Sequence, residues 1–211
     1  FQVQQARWAK GLMQTAIKLM PKILRAKLPW QIKAEAWLHL TANATYIFMA
    51  LLSVLVVPAV AIRYERLGSI WLLLDLPVFL ATWVSLGVFY MSAERELFGA
   101  AWRRSLGLIP AAMAAGIALT VSNLQAVLEA LLGRRTAFER TAKYGAAGQG
   151  ARRSAPSGGW LAWVNLTGAA YFVAGMAYTA WVGAWASLPF LALFVAGYYY
   201  AGSPALRQTP N

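Results

Sequence analysis

Residues 43–62 read NATYIFMALLSVLVVPAVAI, twenty residues without a charge. At about 1.5 Å per residue, a helix of that length crosses the roughly 30 Å hydrocarbon layer of a bilayer. This is the first predicted span. Residues 69–93, SIWLLLDLPVFLATWVSLGVFYMSA, follow the short RYERLG and predict a second span, interrupted only by Asp75. Two spans joined so tightly make a hairpin. Residues 159–206 carry no charge at all and hold two further spans, with a turn near Gly183 to Pro189.

Ahead of the first span, residues 9–28 place Met13, Ile17, Met20, Leu24 and Leu28 at steps of three and four, while Lys10, Lys18, Lys22, Arg25 and Lys27 occupy other positions. This pattern predicts an amphipathic helix on a membrane surface, although taken alone it also fits a soluble helix packed on a globular core. Pro21 lacks a helix donor and is expected to divide the pattern into two short interfacial helices. Leu28-Pro29-Trp30 marks a turn, and Trp30 and Trp37 have the apolar body and polar tip suited to the interface.

Orientation comes from the basic residues. The loop at 94–105 carries Arg95, Arg103 and Arg104, and residues 133–159 contain six Lys and Arg, whereas the turn near Gly183 has none. By the positive-inside rule the N-terminal helices and the 134–158 loop are both cytoplasmic. A single crossing at 106–132, LGLIPAAMAAGIALTVSNLQAVLEALL, would put that loop outside. Its first half is rich in Ala and Gly and contains Pro110, while its second half sets Gln125 and Glu129 among Leu124, Val127, Leu128 and Leu131. A re-entrant or interfacial pair of helices, capped by Gly133, preserves the topology, and a fifth full crossing is the alternative. The expected fold class is therefore all-α: a polytopic membrane protein with amphipathic interfacial helices, about four transmembrane helices and one re-entrant or interfacial segment.

Composition agrees with a bilayer environment. The chain is 60% hydrophobic and only 12% charged, against roughly 25% charged in soluble domains. The net charge of +12 would suit nucleic acid, but the cations alternate with long uncharged stretches, so a membrane surface is the better partner. There are no cysteines and one histidine, His39, which excludes disulfides, thiolate metal sites and His clusters. The first residues are polar and basic, unlike a signal peptide. The start without methionine is read as internal, so a C-terminal piece of a longer protein is expected.

Two motifs stand on the same predicted side of the membrane. Gln4, Arg7 and Trp8 form Q-x-x-R-W, and Phe138, Thr141 and Lys143 form F-x-x-T-x-K. Their order, with interfacial helices and a transmembrane hairpin between them and two spans after, resembles the C-terminal part of processive, membrane-integrated family 2 glycosyltransferases. This is the cellulose synthase, cellulose synthase-like and hyaluronan synthase group. The words QQARWAKG, KAEAWLHLTANATY and FERTAKYG are most similar to bacterial cellulose synthase-like proteins. The resemblance implies that residues 1–8 end a cytosolic transferase domain, and that Gln4 and Arg7 contact a nucleotide-sugar donor or the acceptor. Trp8 would be a platform for the acceptor's terminal sugar. It further implies that 134–158 is a gating loop, with Thr141 and Lys143 approaching the nucleotide and Phe138 seating the loop. Ala142 stands where proline is frequent in the family, and Arg140 where cellulose synthases have an aliphatic residue, which puts the loop's detailed contacts in doubt.

The family's catalytic aspartates, and the D-x-D that binds a divalent metal (Mg or Mn), belong upstream of Q-x-x-R-W, so this chain is expected to carry no catalytic residue and no metal ligand of its own. The resemblance further implies a polysaccharide acceptor, no nucleic acid, an inner (plasma) membrane location and compatibility with a homo-oligomer. Among other residues, Asp75 lies within a span, where an acid is either functional or close enough to the end to reach the interface. Glu35, Glu94 and Glu96 read as surface residues and His39 as an interfacial hydrogen-bonding group. Trp83 with Tyr90, and Tyr171 with Tyr178, are spaced to share helix faces and fit either a polymer path or, with Trp160, Trp163, Trp181, Trp185 and Tyr198-Tyr199-Tyr200, interfacial belts. Asn43 and Asn165 begin sequons that adjoin or enter apolar spans and read as chance.

Two other functions remain open at the level of sequence. A small transporter or channel would need polar groups and broken helices near mid-membrane, and a scaffold would need only the basic face. Neither accounts for the two motifs. The topology has a direct check: a cysteine at Arg134, in a chain otherwise without cysteine, is expected to react with an impermeant maleimide from the cytoplasmic side. Labelling from outside would invert the assignment.

Overall fold

In a computed structural model, the structure describes residues 1–66, 84–85, 87–134 and 159–206. The predicted second span at 69–93, with Asp75 and Trp83, lies mostly outside the described residues, as do the whole F-x-x-T-x-K motif and residues 207–211. What is described is helical, with no strand. Helix α1 runs Gln2–Arg25 and α2 Trp30–Thr41; a 3-10 turn at Ala42–Ala44 joins α2 to α3, Thr45–Arg66. Helix α4 covers 87–98 and leads through a 3-10 stretch, Gly99–Leu108, into α5, Ile109–Ala118, and α6, Thr120–Leu131. Helix α7, Gly159–Trp181, turns through the 3-10 segment Trp185–Ser187 into α8, Leu188–Leu206.

Three helical runs among the described residues are long and apolar enough to cross a membrane: Trp30–Arg63, Leu106–Leu131 and Gly159–Trp181. The first joins α2 and α3 into one rod, so the boundary expected near residue 42 is a short tightening of the helix and not a break. The second contains the segment expected to be re-entrant; as one run it is also long enough for the alternative fifth crossing, and its α-helical ladder is interrupted at Leu119, whose N–H bonds Gly116. Helix α8 falls short of the same apolarity because Tyr198, Tyr199, Tyr200, Ser203 and Pro204 crowd its second half.

One expectation is overturned. Pro21 does not divide the first helix: α1 continues through it to Arg25. A proline removes a single intrahelical donor, and here its ring is exposed while Met20 beside it is buried, so packing of the neighbouring stripe holds the helix together. The chain breaks instead at Ala26, whose ψ of 151° is extended, just before the Pro29 that caps α2 and restrains Leu28 to non-helical backbone.

Two glycines set helix ends as the sequence predicts or nearly so. At Gly133 (φ +68°) and Gly183 (φ +82°) the chain adopts the left-handed conformation that glycine reaches without strain. After α6, the Gly133 N–H bonds Ala130 and the Arg134 N–H bonds Glu129. After α7, the Gly183 N–H bonds Ala180 and the Ala184 N–H bonds Thr179. Each is a Schellman cap, which satisfies carbonyls the helix end would otherwise leave open.

Packing forms two cores. In one, Ala9, Met13 and Ala16 of α1 meet Ala126, Val127 and Ala130 of α6, with Leu40, Ala44 and Ile47 alongside. In the other, Ile117 of α5, Ala169 and Phe172 of α7, and Leu191, Phe194 and Tyr198 of α8 pack with Val56 and Val57 of α3. Phe172 stacks on Phe194 at 4.6 Å and on Tyr198 at 5.7 Å between ring centroids. Small residues let the backbones approach: a Cβ built on Gly197 would stand 2.6 Å from the Ala114 carbonyl oxygen and 2.8 Å from Ile117. Gly197→Ala is accordingly expected to prise α8 from α5 and cost about 1–3 kcal/mol, read as a lowered Tm in detergent. Gly116→Ala, whose Cβ would meet nothing within 4 Å, leaves the Tm unchanged or raises it.

Candidate functional site

The Q-x-x-R-W residues occupy the first two turns of α1. The helix begins directly after Phe1, whose carbonyl accepts from the Gln5 N–H at 3.0 Å. Gln4 and Trp8 are one turn apart and both exposed, Trp8 at 60%. Arg7, one residue before Trp8, is half-buried, and its Nε donates to the Val3 carbonyl at 3.4 Å. That bond draws the guanidinium back toward the helix start, the direction in which helical side chains lean, and so toward the end that carries Gln4. A carboxamide, a guanidinium fork and an open indole face are thereby grouped on neighbouring positions of a single helix. Such a group offers hydrogen bonds and positive charge to phosphate or sugar oxygens, and an apolar plane to a sugar ring.

The opposite side of α1 is fixed by a contact that sequence reading leaves unassigned. Lys10, only 8% exposed, places Nζ 2.7 Å from Oε2 of Glu129 on α6. Gln125, one turn earlier on α6, donates Nε2 to the other Glu129 oxygen, Oε1, at 2.8 Å. Gln125 and Glu129 are readable as an i, i+4 pair. Lys10 carries no such sign, because its partner is 119 positions away. The apolar stripe expected on α1 also divides. Met13 and Met20 are buried together with Ala9 and Ala16, whereas Ile17, Leu24 and Leu28 remain exposed.

A second polar group lies between α3, α6 and α8. The Tyr198 hydroxyl donates to Ser53 Oγ at 2.8 Å, and Ser53 donates onward to the Met49 carbonyl at 2.7 Å. Tyr171 of α7 donates to the Val54 carbonyl at 2.7 Å. Thr120, which faces the Tyr198 hydroxyl, and Asn123 one turn later are fully buried, with Asn123 Oδ1 lacking a partner. Asn165 is half satisfied: its Nδ2 donates to the Leu161 carbonyl at 2.7 Å, while Oδ1 has no partner. The sequon asparagines are thus accounted for locally, Asn165 buried in α7 and Asn43 in the 3-10 turn.

Phe138, Thr141 and Lys143 lie outside the described residues. His39, Glu35 and Glu96 are exposed, and Glu94 is half-buried with Oε2 unpartnered. Tyr171 shares its face with Tyr178 as expected from spacing, but its hydroxyl is engaged with α3. Trp160, Trp163, Trp181 and Trp185 are all exposed near the two ends of α7 and the start of α8, where interfacial tryptophans belong. Among the described residues no three His, Asp or Glu side chains converge.

The chain matches no protein-family model, no curated protein and no solved structure. The Lys10 contact has a separable energetic signature. Lys10→Met leaves the Glu129 carboxylate facing apolar surface and is expected to cost about 2 kcal/mol, seen as a lowered Tm in detergent. The Lys10→Met, Glu129→Met double variant should recover most of that loss, because removing both charges of this part-buried pair is milder than leaving one without its partner.

Proposed function

We propose that this chain is the membrane-embedded, acceptor-side part of a processive glycosyltransferase, which moves sugar from a nucleotide donor onto a growing β-linked polysaccharide and passes the product through its own helices. One observation carries the reading: Gln4 and Trp8 face outward from the first two turns of α1, while the far side of that helix is locked to α6 by Lys10 and Glu129. An acceptor platform needs an open ring on a rigid support, and this geometry supplies both.

On this reading Trp8 lies flat against the acceptor's terminal sugar, whose C–H face is apolar enough to cover an indole. Gln4 hydrogen-bonds sugar or phosphate oxygens. Arg7 turns its fork of donors to the departing diphosphate, and neutralising that charge as it develops lowers the barrier to transfer. Thr141 and Lys143, seated by Phe138, close over the nucleotide and exclude water, so that an acceptor hydroxyl and not water takes the sugar. The proton lost by that hydroxyl goes to a carboxylate supplied by the preceding transferase domain. Topologically, 43–62, 69–93 and the two helices of 159–206 cross an inner (plasma) membrane, 106–132 dips and returns, and α1 and the 134–158 loop share the cytoplasmic side.

A transporter or channel without transferase activity is the second reading. It draws on the buried Asn123, whose Oδ1 lacks a partner, beside Thr120 inside a run long enough to span, which would contact a polar solute. The two readings separate in one assay of the full-length protein in vesicles with labelled UDP- or GDP-sugars. Arg7→Ala and Trp8→Ala are each expected to abolish polymer formation while the protein still inserts in the membrane. Unchanged polymer yield in either variant would remove the roles assigned to these residues.

A further inference from the structure

Two apolar stripes run side by side along α1. The one formed by Ala9, Met13, Ala16 and Met20 is covered by α6. The other, Ile17, Pro21 and Leu24 at helical steps of four and three, is open, with Ile17 at 46% and Leu24 at 47% exposed. Where the two meet, Ala16, Ile17, Met20, Pro21, Leu24 and Arg25 line an open surface groove of about 400 Å³. Its lining is apolar except for Arg25 at the end.

The next stripe round the helix is cationic. Lys18, Lys22 and Arg25 follow at steps of four and three and are exposed, with no carboxylate paired to them among the described residues. The turn after α1 adds Lys27. Helix α2 returns Lys33, whose Nζ donates to the Leu24 carbonyl at 2.8 Å and so fixes α2 beside the groove. From residue 18 to 37 these five cations stand against a single acid, Glu35. Trp30 and Trp37, both exposed, lie near the start of the rod Trp30–Arg63, which is long enough to cross a membrane. An apolar groove, a basic rim and exposed tryptophans on the helix held beside it describe one kind of occupant.

We infer that this groove holds an anionic phospholipid of the adjoining leaflet. The upper part of an acyl chain lies along Ile17, Pro21 and Leu24, and the phosphate rests between Arg25 and Lys22, where the guanidinium donates to two oxygens side by side and the ammonium to a third. A zwitterionic lipid satisfies the groove and not the rim, since its own choline opposes the cations. A second copy of the chain is unfavourable there, because a symmetric contact would set the stripe of Lys18, Lys22 and Arg25 against itself. The site makes α1 a lipid sensor on the same helix that carries Gln4, Arg7 and Trp8, and it does not depend on what those three residues do.

The test uses the full chain in nanodiscs of equal phosphatidylcholine and phosphatidylglycerol, extracted into mild detergent, with retained lipid counted by native mass spectrometry. Phosphatidylglycerol is expected to be retained over phosphatidylcholine. Lys22→Gln with Arg25→Gln should lower that retention roughly 25-fold, at about fivefold for each cation facing an anionic leaflet. Leu24→Ser should lower it with every charge kept. Arg95→Gln with Arg103→Gln removes the same charge elsewhere and should leave retention intact. Equal retention of the two lipids, an equal loss in the Arg95 and Arg103 control, or no effect of Lys22 and Arg25 would each overturn the site. Circular dichroism on every variant confirms that the helices are kept, and because the readout is bound lipid, its failure is distinct from any failure of sugar transfer.

Discussion

Lys10 and Glu129 meet at 2.7 Å across a seam of alanines, and the placement of the first helix follows from that meeting. Between apolar helices in a bilayer the hydrophobic effect gives little direction, because lipid tails are as apolar as the side chains; close packing and polar contacts decide which faces join. Ala9, Ala16, Ala126 and Ala130 allow α1 and α6 to approach but say little about rotation, since one alanine packs much like another. The ammonium does. It is buried, must be paired, and finds its carboxylate only when α1 is turned to one angle and slid to one register. A rotation of one residue, about 100°, would carry Lys10 off the seam and strand Glu129, whose second oxygen is already occupied by Gln125.

The other half of the molecule solves the same problem with rings and hydroxyls. Phe172, Phe194 and Tyr198 stack between α7 and α8, and Gly197 admits the Ala114 backbone. Helix α3 packs less closely against this pair, with Val54, Leu55 and Ile62 left open, as suits a surface turned to hydrocarbon. Two phenols bridge to it: Tyr198 to Ser53 and Tyr171 to the Val54 carbonyl, on adjacent residues of α3. Each hydroxyl would otherwise be an unsatisfied donor in an apolar setting, so the bonds hold the helices in register even where their van der Waals contact is thin.

How much of this could be read beforehand follows the reach of each interaction along the chain. The apolar runs at 43–62 and 159–181, the turn at Gly183 and the cap at Gly133 are local signals, and the structure carries them. Pro21 was misleading because propensity counts the lost donor but not the buried stripe of Ala9, Met13, Ala16 and Met20 that outweighs it. The same stripe was half hidden: periodicity picks out Met13 and Met20 but passes over alanine, which is neither strongly apolar nor polar yet forms the seam. Lys10 is the clearest omission. In sequence it is one of several lysines suited to a membrane surface, and only the fold, by bringing α6 alongside, makes it different from Lys18 or Lys22. Gln4, Arg7 and Trp8 were legible as a group because they lie within two turns. The later motif, Phe138, Thr141 and Lys143, falls outside the described residues, and with it any account of how the two meet.

Helix α1 thus presents three unlike faces, and their separation matters more than any one of them. The alanine face is fixed by α6, the Ile17 and Leu24 face is open, and the face with Gln4 and Trp8 is exposed near the helix start. Because a helix is stiff over six turns, fixing one face fixes the direction of the others, so an indole at Trp8 is held in place without spending its own contacts to do so. Rigid support of this kind is what a binding platform requires: little ordering remains to be done when a ligand arrives. The anchor is also placed to serve a second purpose. Glu129 lies in the last turn of α6, and the Schellman cap at Gly133 sets where the chain leaves that helix. The Lys10–Glu129 contact and this cap therefore set together where α1 lies and where the chain leaves α6.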